Sequence, residues 1–381
     1  MTRYVVIVVG GYGVFGRRIV RCLVSHRELD VIVAGRDGGT AEAFCKSLEP
    51  RGARALRVDV LNPGGVEKVL ACRPAVVVDT VGPFQDRADR LALACAMAGA
   101  HYVDIADNRA RVAAISELDA EARARGVIVL SGASTVPAIT TAIVDALVPS
   151  PQDILEIEVG ISPGHRAPRG IATVRSILGY GGRLIPDLGG RVAFGWGDLS
   201  RHRYPSPVGN RWLSNIDTPE RALWPVRYPS LQRLIVRAGL ELSVLHLGLS
   251  ALSRGVRAGL VEELASRSET ALRIANWLRG CGSDSGAMHV RVVARNSDGQ
   301  RHEFLATLVA ENGDGPQIPA TPAALIVKKL LGLPGYDRLE ARGAHACLGF
   351  VTLDELLQEL SPFNVRIIRE PGSADESHGG R

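Results

Sequence analysis

The chain has 381 residues, is 46% hydrophobic and 22% charged, and carries 45 basic against 40 acidic side chains. This composition excludes a disordered, collagenous or coiled-coil protein, and the length points to two domains, because single cores seldom grow past about 250–300 residues. Aromatics are only 5% and the arginines are spread along the whole chain, which argues against a stacking platform or a basic patch for nucleic acid.

None of the six cysteines forms a C-x-x-C pair, and no His or Cys stands at finger spacing, so neither a metal site nor a disulfide framework is expected. The first strand begins at Tyr4 and leaves no room for a signal peptide, so a reduced, cytoplasmic protein is expected.

Residues 1–133 alternate regularly. β-branched apolar runs occur at Tyr4–Val9, Val31–Ala34, Ala53–Val58, Ala75–Asp79, His101–Ile105 and Val127–Leu130. Helix-period segments lie between them at Val14–Ser25, Thr40–Leu48, Gly65–Ala71, Arg87–Ala98 and Arg109–Arg125. Strands apolar on both faces, alternating with helices, predict an α/β domain with a doubly wound parallel (Rossmann) sheet.

The first strand runs into Gly10-Gly11-Tyr12-Gly13-Val14-Phe15-Gly16, in which Gly11, Gly13 and Gly16 make G-x-G-x-x-G. The first glycine permits the tight turn, the second admits a pyrophosphate close to the backbone, and the third lets helix and strand pack closely. The helix N-terminus then offers free N–H groups to the phosphates. Tyr12, Val14 and Phe15 belong to the same cradle.

The second strand ends in Ala34-Gly35-Arg36-Asp37. An NAD site places an acid here for the ribose hydroxyls, whereas a guanidinium suits a 2′-phosphate. Arg36 therefore points to NADP (NADPH), with Asp37 placed where it could neutralise that charge. Asp59 and Val60, after the third strand, are candidates for the adenine wall, Asp59 being equally suited to a turn. Thr80, Val81, Gly82 and Pro83, after the fourth, form a rigid loop at the carboxyl edge, where such sheets bind ligands.

With these residues in hand, the chain resembles the saccharopine dehydrogenase-like family. The matching stretches are the glycine loop, Ala34 to Arg36, Thr80 to Phe84, Cys95 to Ala106 and Ser131 to Pro137, together covering about the first 150 residues. The resemblance implies NADP and hydride chemistry, in a family of saccharopine reductases, carboxynorspermidine-forming enzymes and trans-acting enoyl reductases. It does not imply a substrate. Family members often follow the Tyr-x-Asp strand with Gly-Glu, whereas here Tyr102-Val103-Asp104-Ile105-Ala106 is followed by Asp107-Asn108. Either Asp107 replaces that acid or the role is lost.

After Pro149-Ser150-Pro151 the pattern changes to a second, α+β domain containing an antiparallel sheet. Strands are expected at Ile154–Ile161, Met288–Ala294 and Glu303–Ala310, the last two forming a hairpin around Asn296-Ser297-Asp298-Gly299. Helices are expected near Gly170–Leu178, Leu231–Ala238, Leu240–Arg254, Ala258–Leu278, Thr321–Leu331 and Leu353–Glu359. The domains read as 1–133 for the nucleotide, 134–345 for substrate and dimerisation, 346–370 returning to the first domain, and 371–381 as a disordered tail.

Chemistry is sparsely marked in this part. His165, in the polar loop from Ser162 to Arg169, is a candidate for proton transfer, as is Asp107 in the first domain. The greasy segment Leu240–Val261 is too short to span a bilayer and reads as a buried helix, a dimer contact or, less favoured, a membrane contact. The expected activity is NADPH-dependent hydride transfer to an imine or carbonyl of a small metabolite by a homodimer. The rival readings are a trans-acting enoyl reductase and a non-catalytic nucleotide-binding protein docked on a membrane or partner.

Overall fold

The computed structural model describes residues 3–84, 89–186, 188, 192–296 and 298–374. In chain order its elements begin with β1 (Tyr4–Val9), α1 (Gly16–Leu23), β2 (Leu29–Gly35), α2 (Gly38–Lys46), β3 (Arg54–Arg57) and α3 (Pro63–Ala71). They continue with β4 (Val76–Asp79), α4 (Arg90–Met97), β5 (His101–Asp104), α5 (Arg109–Ala114), α6 (Asp119–Ala124) and β6 (Ile128–Ser131). Next come α7 (Thr140–Leu147), β7 (Ile154–Ser162), α8 (Ile171–Gly179), β8 (Leu184–Ile185), β9 (Ala193–Phe194), β10 (Ser200–Arg203) and β11 (Asn210–Asn215). After these stand α9 (Glu220–Arg227), β12 (Arg233–Ala238), α10 (Ser243–Arg257), α11 (Ser268–Trp277), β13 (Gly286–Arg295) and β14 (Arg301–Ala310). The chain closes with α12 (Gln317–Leu331), β15 (Gly343–Ala346), α13 (Leu353–Leu360) and β16 (Val365–Ala374).

Two compact units result: Met1–Ile139 with Gln317–Glu359, and Thr140–Pro316 with Leu360–Arg381. The chain thus returns to the first unit at Gln317. Of the segment expected to be disordered, 371–374 belong to β16 and 375–381 lie outside the described residues, as do Ser297 of the expected hairpin turn and Arg87 and Ala88 of the expected fourth helix.

The first unit is a seven-stranded sheet of order β15-β6-β5-β4-β1-β2-β3, every pair parallel. Its central strands are buried on both faces, as in Val6–Val9 and Val76–Val78, which is why they read as continuous apolar runs. The order reverses between β1 and β4, so the loops after these strands open the crevice where such sheets take ligands.

Within this unit α12 is buried over most of its length and carries Lys328 and Lys329 inside. Lys328 Nζ donates to Glu359 Oε2 at 2.6 Å and to Tyr336 Oη at 3.0 Å; Lys329 Nζ donates to Glu355 Oε1 at 2.6 Å. These pairs clamp α12 to α13.

The second unit carries a seven-stranded sheet of order β10-β11-β12-β7-β13-β14-β16. It is antiparallel except for β7 and β12, which run parallel. Two elements differ from the sequence-based expectation. Leu231–Ala238, expected as a helix, is strand β12: Leu234 and Val236 are buried, while Arg233 and Arg237, on the other face, reach Glu156 and Glu158 of β7. The helix expected over Ala258–Leu278 begins only at Ser268, preceded by a short 3-10 turn at Leu264–Arg267. Gly259, at φ +73°, breaks the run there. Among the described residues no helix is long and apolar enough to cross a membrane.

Candidate functional site

The glycine loop joins β1 to α1 in the form the motif requires. Gly10 has φ +75°, and a Cβ on it would meet Thr80 Oγ1 at 2.6 Å. A Cβ on Gly16 would lie 2.3 Å from Gly10 O, so α1 can start this close to the loop only on glycine. Gly13 N donates back to Gly10 O at 2.8 Å. Phe15 caps α1 without a side-chain bond and no acid stands in the first turn. Among the described residues the amides of Val14 and Phe15 donate to no protein acceptor. The result is a bare anion cradle at a helix N-terminus.

The end of β2 closes on the same loop. Gly35 leaves room for the Tyr12 ring: its Cβ would lie 2.4 Å from Tyr12 Cε1. Tyr12 Oη accepts the Asp37 N–H at 3.0 Å. Asp37 does not pair with Arg36. It caps α2, accepting from Thr40 N at 3.0 Å and from Thr40 Oγ1 at 2.6 Å. These Thr40 bonds hold its carboxyl below the ordinary value.

Arg36 is exposed and has no acceptor for its guanidinium among the described residues. A second such group stands beside it. Arg57, at the end of β3, is in register with Gly35, and its stem lies against Gly38, 3.3–3.6 Å from where a Cβ would be. Arg57 is also exposed and without a bonded acceptor. Sequence reasoning missed it; the signal lay in the parallel register, which puts the end of the third strand next to the end of the second.

Asp59 serves the turn into α3, accepting from Leu61 N at 3.1 Å and Asn62 Nδ2 at 3.2 Å, with Val60 buried behind it. Thr80 is pinned to β1, its Oγ1 donating to Val9 O at 2.8 Å. Val81 N donates to Asp79 Oδ1 at 3.0 Å. Gly82 and Pro83 follow in the same loop, joined by a cis peptide bond.

Behind the loops after β4, β5 and β6 lies a buried polar network. Asp104 Oδ1 accepts from Ser131 Oγ at 2.8 Å, Gly132 N at 3.0 Å and Ala106 N at 3.0 Å. Its Oδ2 accepts from Tyr102 Oη and Arg111 Nη2, both at 3.2 Å. Tyr102 Oη also reaches Asp79 Oδ2 at 3.1 Å, and Arg111 pairs with Asp89 and lies 5.2 Å from the Phe84 ring centroid. Burial alone would lower the Arg111 pKa, but the oxygens of Tyr102, Asp104, Asp89 and Asp79 outweigh it and hold the guanidinium above its ordinary value. The network fastens three strand ends together; Arg111, too, was missed from the sequence.

Asp107 is exposed in the loop leading into α5, whose N-cap is Asn108. His165 belongs to the second unit and is buried. Its Nε2 bonds Ala275 O at 2.9 Å and its main-chain N donates to Glu241 Oε2 at 2.5 Å; burial keeps its pKa low. The second unit also holds a cavity of about 700 Å³ whose lining includes Arg221, Arg233, Arg237, Asn215, Asp198 and Ile235. Among the described residues no three His, Cys, Asp or Glu side chains group to hold a metal ion.

Residues 6–130 match the model of the saccharopine dehydrogenase NADP binding domain. Saccharopine dehydrogenase (L-Glu forming) from Saccharomyces cerevisiae, in its apo form, shares the fold: TM-score 0.67 over 97% of this chain and 100% of that one, at 14% identity. A dehydrogenase from Chromobacterium violaceum aligns over 82% of this chain and 75% of its own, at 12% identity and TM-score 0.36. No curated protein matches the sequence. The open cradle of Gly13 to Gly16 fits the pyrophosphate of the nicotinamide coenzyme that the family model implies.

Proposed function

We propose, from the premise that this chain is an oxidoreductase of the saccharopine dehydrogenase-like type, that it uses NADPH and reduces an imine or carbonyl of a small metabolite. The observation that carries the coenzyme choice is the pair Arg36 and Arg57. Two guanidiniums that hydrogen-bond no acceptor among the described residues stand at or beside the place where an NAD site keeps an acid, and the nearby acid, Asp37, is occupied as a helix cap.

The Val14 and Phe15 amides and the start of α1 would hold the pyrophosphate, and Arg36 and Arg57 the 2′-phosphate. Thr80 to Pro83 would wall the coenzyme at the carboxyl edge, on a base kept rigid by Asp104 and Arg111. The bound coenzyme supplies a hydride. Asp107, exposed on the loop after β5, is the carboxylate suited to holding a proton there.

Calorimetric titration with NADP+ and NAD+, followed by NADPH oxidation against a panel of amine and aldehyde pairs, tests this reading. Tighter binding of NADP+ and turnover with one pair are expected. Equal affinity for both coenzymes would overturn the coenzyme choice. Binding without turnover on any pair or any keto compound would leave a nucleotide-binding protein instead.

A further inference from the structure

Two loops of the second unit interlock. One leads from β7 into α8, residues 163–170, and the other from α11 into β13, residues 278–285. Arg166 N donates to Ser283 O at 2.8 Å, and His165 Nε2 bonds Ala275 O of α11 at 2.9 Å. Gly282 passes so close that a Cβ on it would meet His165 Cβ at 2.3 Å. Glu241 seals the junction. Its Oε2 accepts from His165 N at 2.5 Å and Ser283 N at 2.9 Å, and its Oε1 from Arg211 Nη2 at 3.2 Å.

Three guanidiniums are gathered at this junction. Arg166 Nη2 donates to Gly280 O at 3.4 Å, Arg279 Nη2 to Arg166 O at 3.3 Å, and Arg169 Nη2 to His165 O at 2.5 Å. Each is thus aimed by a main-chain carbonyl, and among the described residues none of the three pairs with a carboxylate. Arg166 and Arg279 are exposed, and Arg169 is half-buried. Elsewhere in this unit the half-buried arginines Arg227, Arg237, Arg291 and Arg301 pair with Asp145, Glu158, Glu303 and Glu156. Arg169 has another arginine in its field instead: burial and the Arg279 charge lower its pKa, against the pull of Glu241.

The local charge does not close. Over residues 162–185 and 253–286, nine arginines stand against four acids, Glu262, Glu263, Glu269 and Asp284. Glu263 is taken by Arg183, and Glu269 stands at the opposite end of α11 from Arg279. Glu241 is already engaged by Arg211 and two amides. Gathered like charges repel unless an anion lies among them, and guanidinium forks match the paired oxygens of a carboxylate or phosphate.

We infer that Arg166, Arg169 and Arg279 form an oxyanion site that takes the carboxylate or phosphate group of a small acidic molecule. The site is built within the second unit, and the inference does not rest on the coenzyme reading.

Site-resolved labelling of the full chain with phenylglyoxal, read by peptide mass spectrometry, tests it. Inorganic phosphate, glutarate and chloride are compared at equal ionic strength. Labelling of Arg166, Arg169 and Arg279 should fall together, to about a tenth once phosphate or glutarate reaches about ten times its dissociation constant. Chloride should not reproduce this, and the more effective oxyanion tells whether the group bound is a phosphate or a carboxylate. Arg295, exposed at the far end of β13, should label at one rate throughout. Arg279→Gln removes a charge-assisted bond, so half-protection of Arg166 and Arg169 should need about tenfold more anion. Circular dichroism should not change in this variant, because Arg279 is exposed. Protection of Arg36 and Arg57 by NADP+ is read in the same digests, which separates failure of the coenzyme reading from failure of this one. No protection by either oxyanion, equal protection by chloride or at Arg295, or an unshifted midpoint in Arg279→Gln overturns the site.

Discussion

The Tyr12 hydroxyl accepts the Asp37 N–H at 3.0 Å, so a side chain of the glycine loop locks the end of β2. That contact exists because residue 35 has no side chain. In Gly35→Ala the new methyl would stand 2.4 Å from Tyr12 Cε1 and the ring must leave. NADP+ affinity should fall about tenfold or more, because Arg36 and the phosphate loop lose their common strut. Tyr12→Phe removes only the hydrogen bond, about 1 kcal/mol, and should weaken binding by less than about tenfold. Calorimetry on both variants checks the order; an unchanged Gly35→Ala would detach Tyr12 from the coenzyme site.

Arg36 and Arg57 should act on one coenzyme only. A charge-assisted bond to phosphate contributes about 1.5–3 kcal/mol, or about 10–100-fold. Arg36→Ala should therefore raise the NADP+ dissociation constant at least tenfold and leave NAD+ nearly untouched, and Arg57→Ala should do the same to a similar or smaller degree. A parallel loss for both dinucleotides in either variant would refute its 2′-phosphate role.

Asp104 has no exposed surface and is the acceptor on which Tyr102, Ser131, Gly132 and Arg111 converge. Asp104→Asn turns one acceptor into a donor facing donors and removes a buried counter-charge of Arg111. The expected cost is about 3–5 kcal/mol, read as a fall in Tm of about 10 °C. A Tm shift of only a degree or two would show that Asp89 and Asp79 suffice to hold Arg111.

The first sheet was legible because strands buried on both faces leave uninterrupted apolar runs, and Val6 to Val9 and Val76 to Val78 are such runs. The glycine loop was legible because its spacing answers a backbone requirement. Arg57 and Arg111 were not, since their meaning comes from register and tertiary contact: nothing local marks Arg57 as the neighbour of Gly35, or Arg111 as the partner of Asp104 seven residues earlier. Leu231–Ala238 misled for a related reason. Leu231, Leu234, Ile235 and Ala238 fit a helical stripe, while the ion pairs that favour a strand depend on Glu156 and Glu158, 77 and 79 residues upstream of their arginines.

Stability below neutral pH should depend on His246. Its Nδ1 accepts the Leu240 N–H, so the single ring proton sits on Nε2, donated to Ser214 Oγ. A second proton would break the Leu240 bond, and burial lowers the pKa from 6.5 to about 4. The unfolded chain, with the ordinary value, takes up that proton first. The contribution is therefore complete above pH 6.5 and is lost progressively as the pH falls from 6.5 to about 4, at up to about 1.4 kcal/mol per pH unit and about 3 kcal/mol in all. Urea denaturation of the wild type and His246→Gln across this range reads it directly. The variant should be the less stable at pH 7.5, and the gap should narrow steadily toward pH 4.5. Curves that stay parallel would mean that His246 takes up its proton over the same pH range in the folded and the unfolded chain.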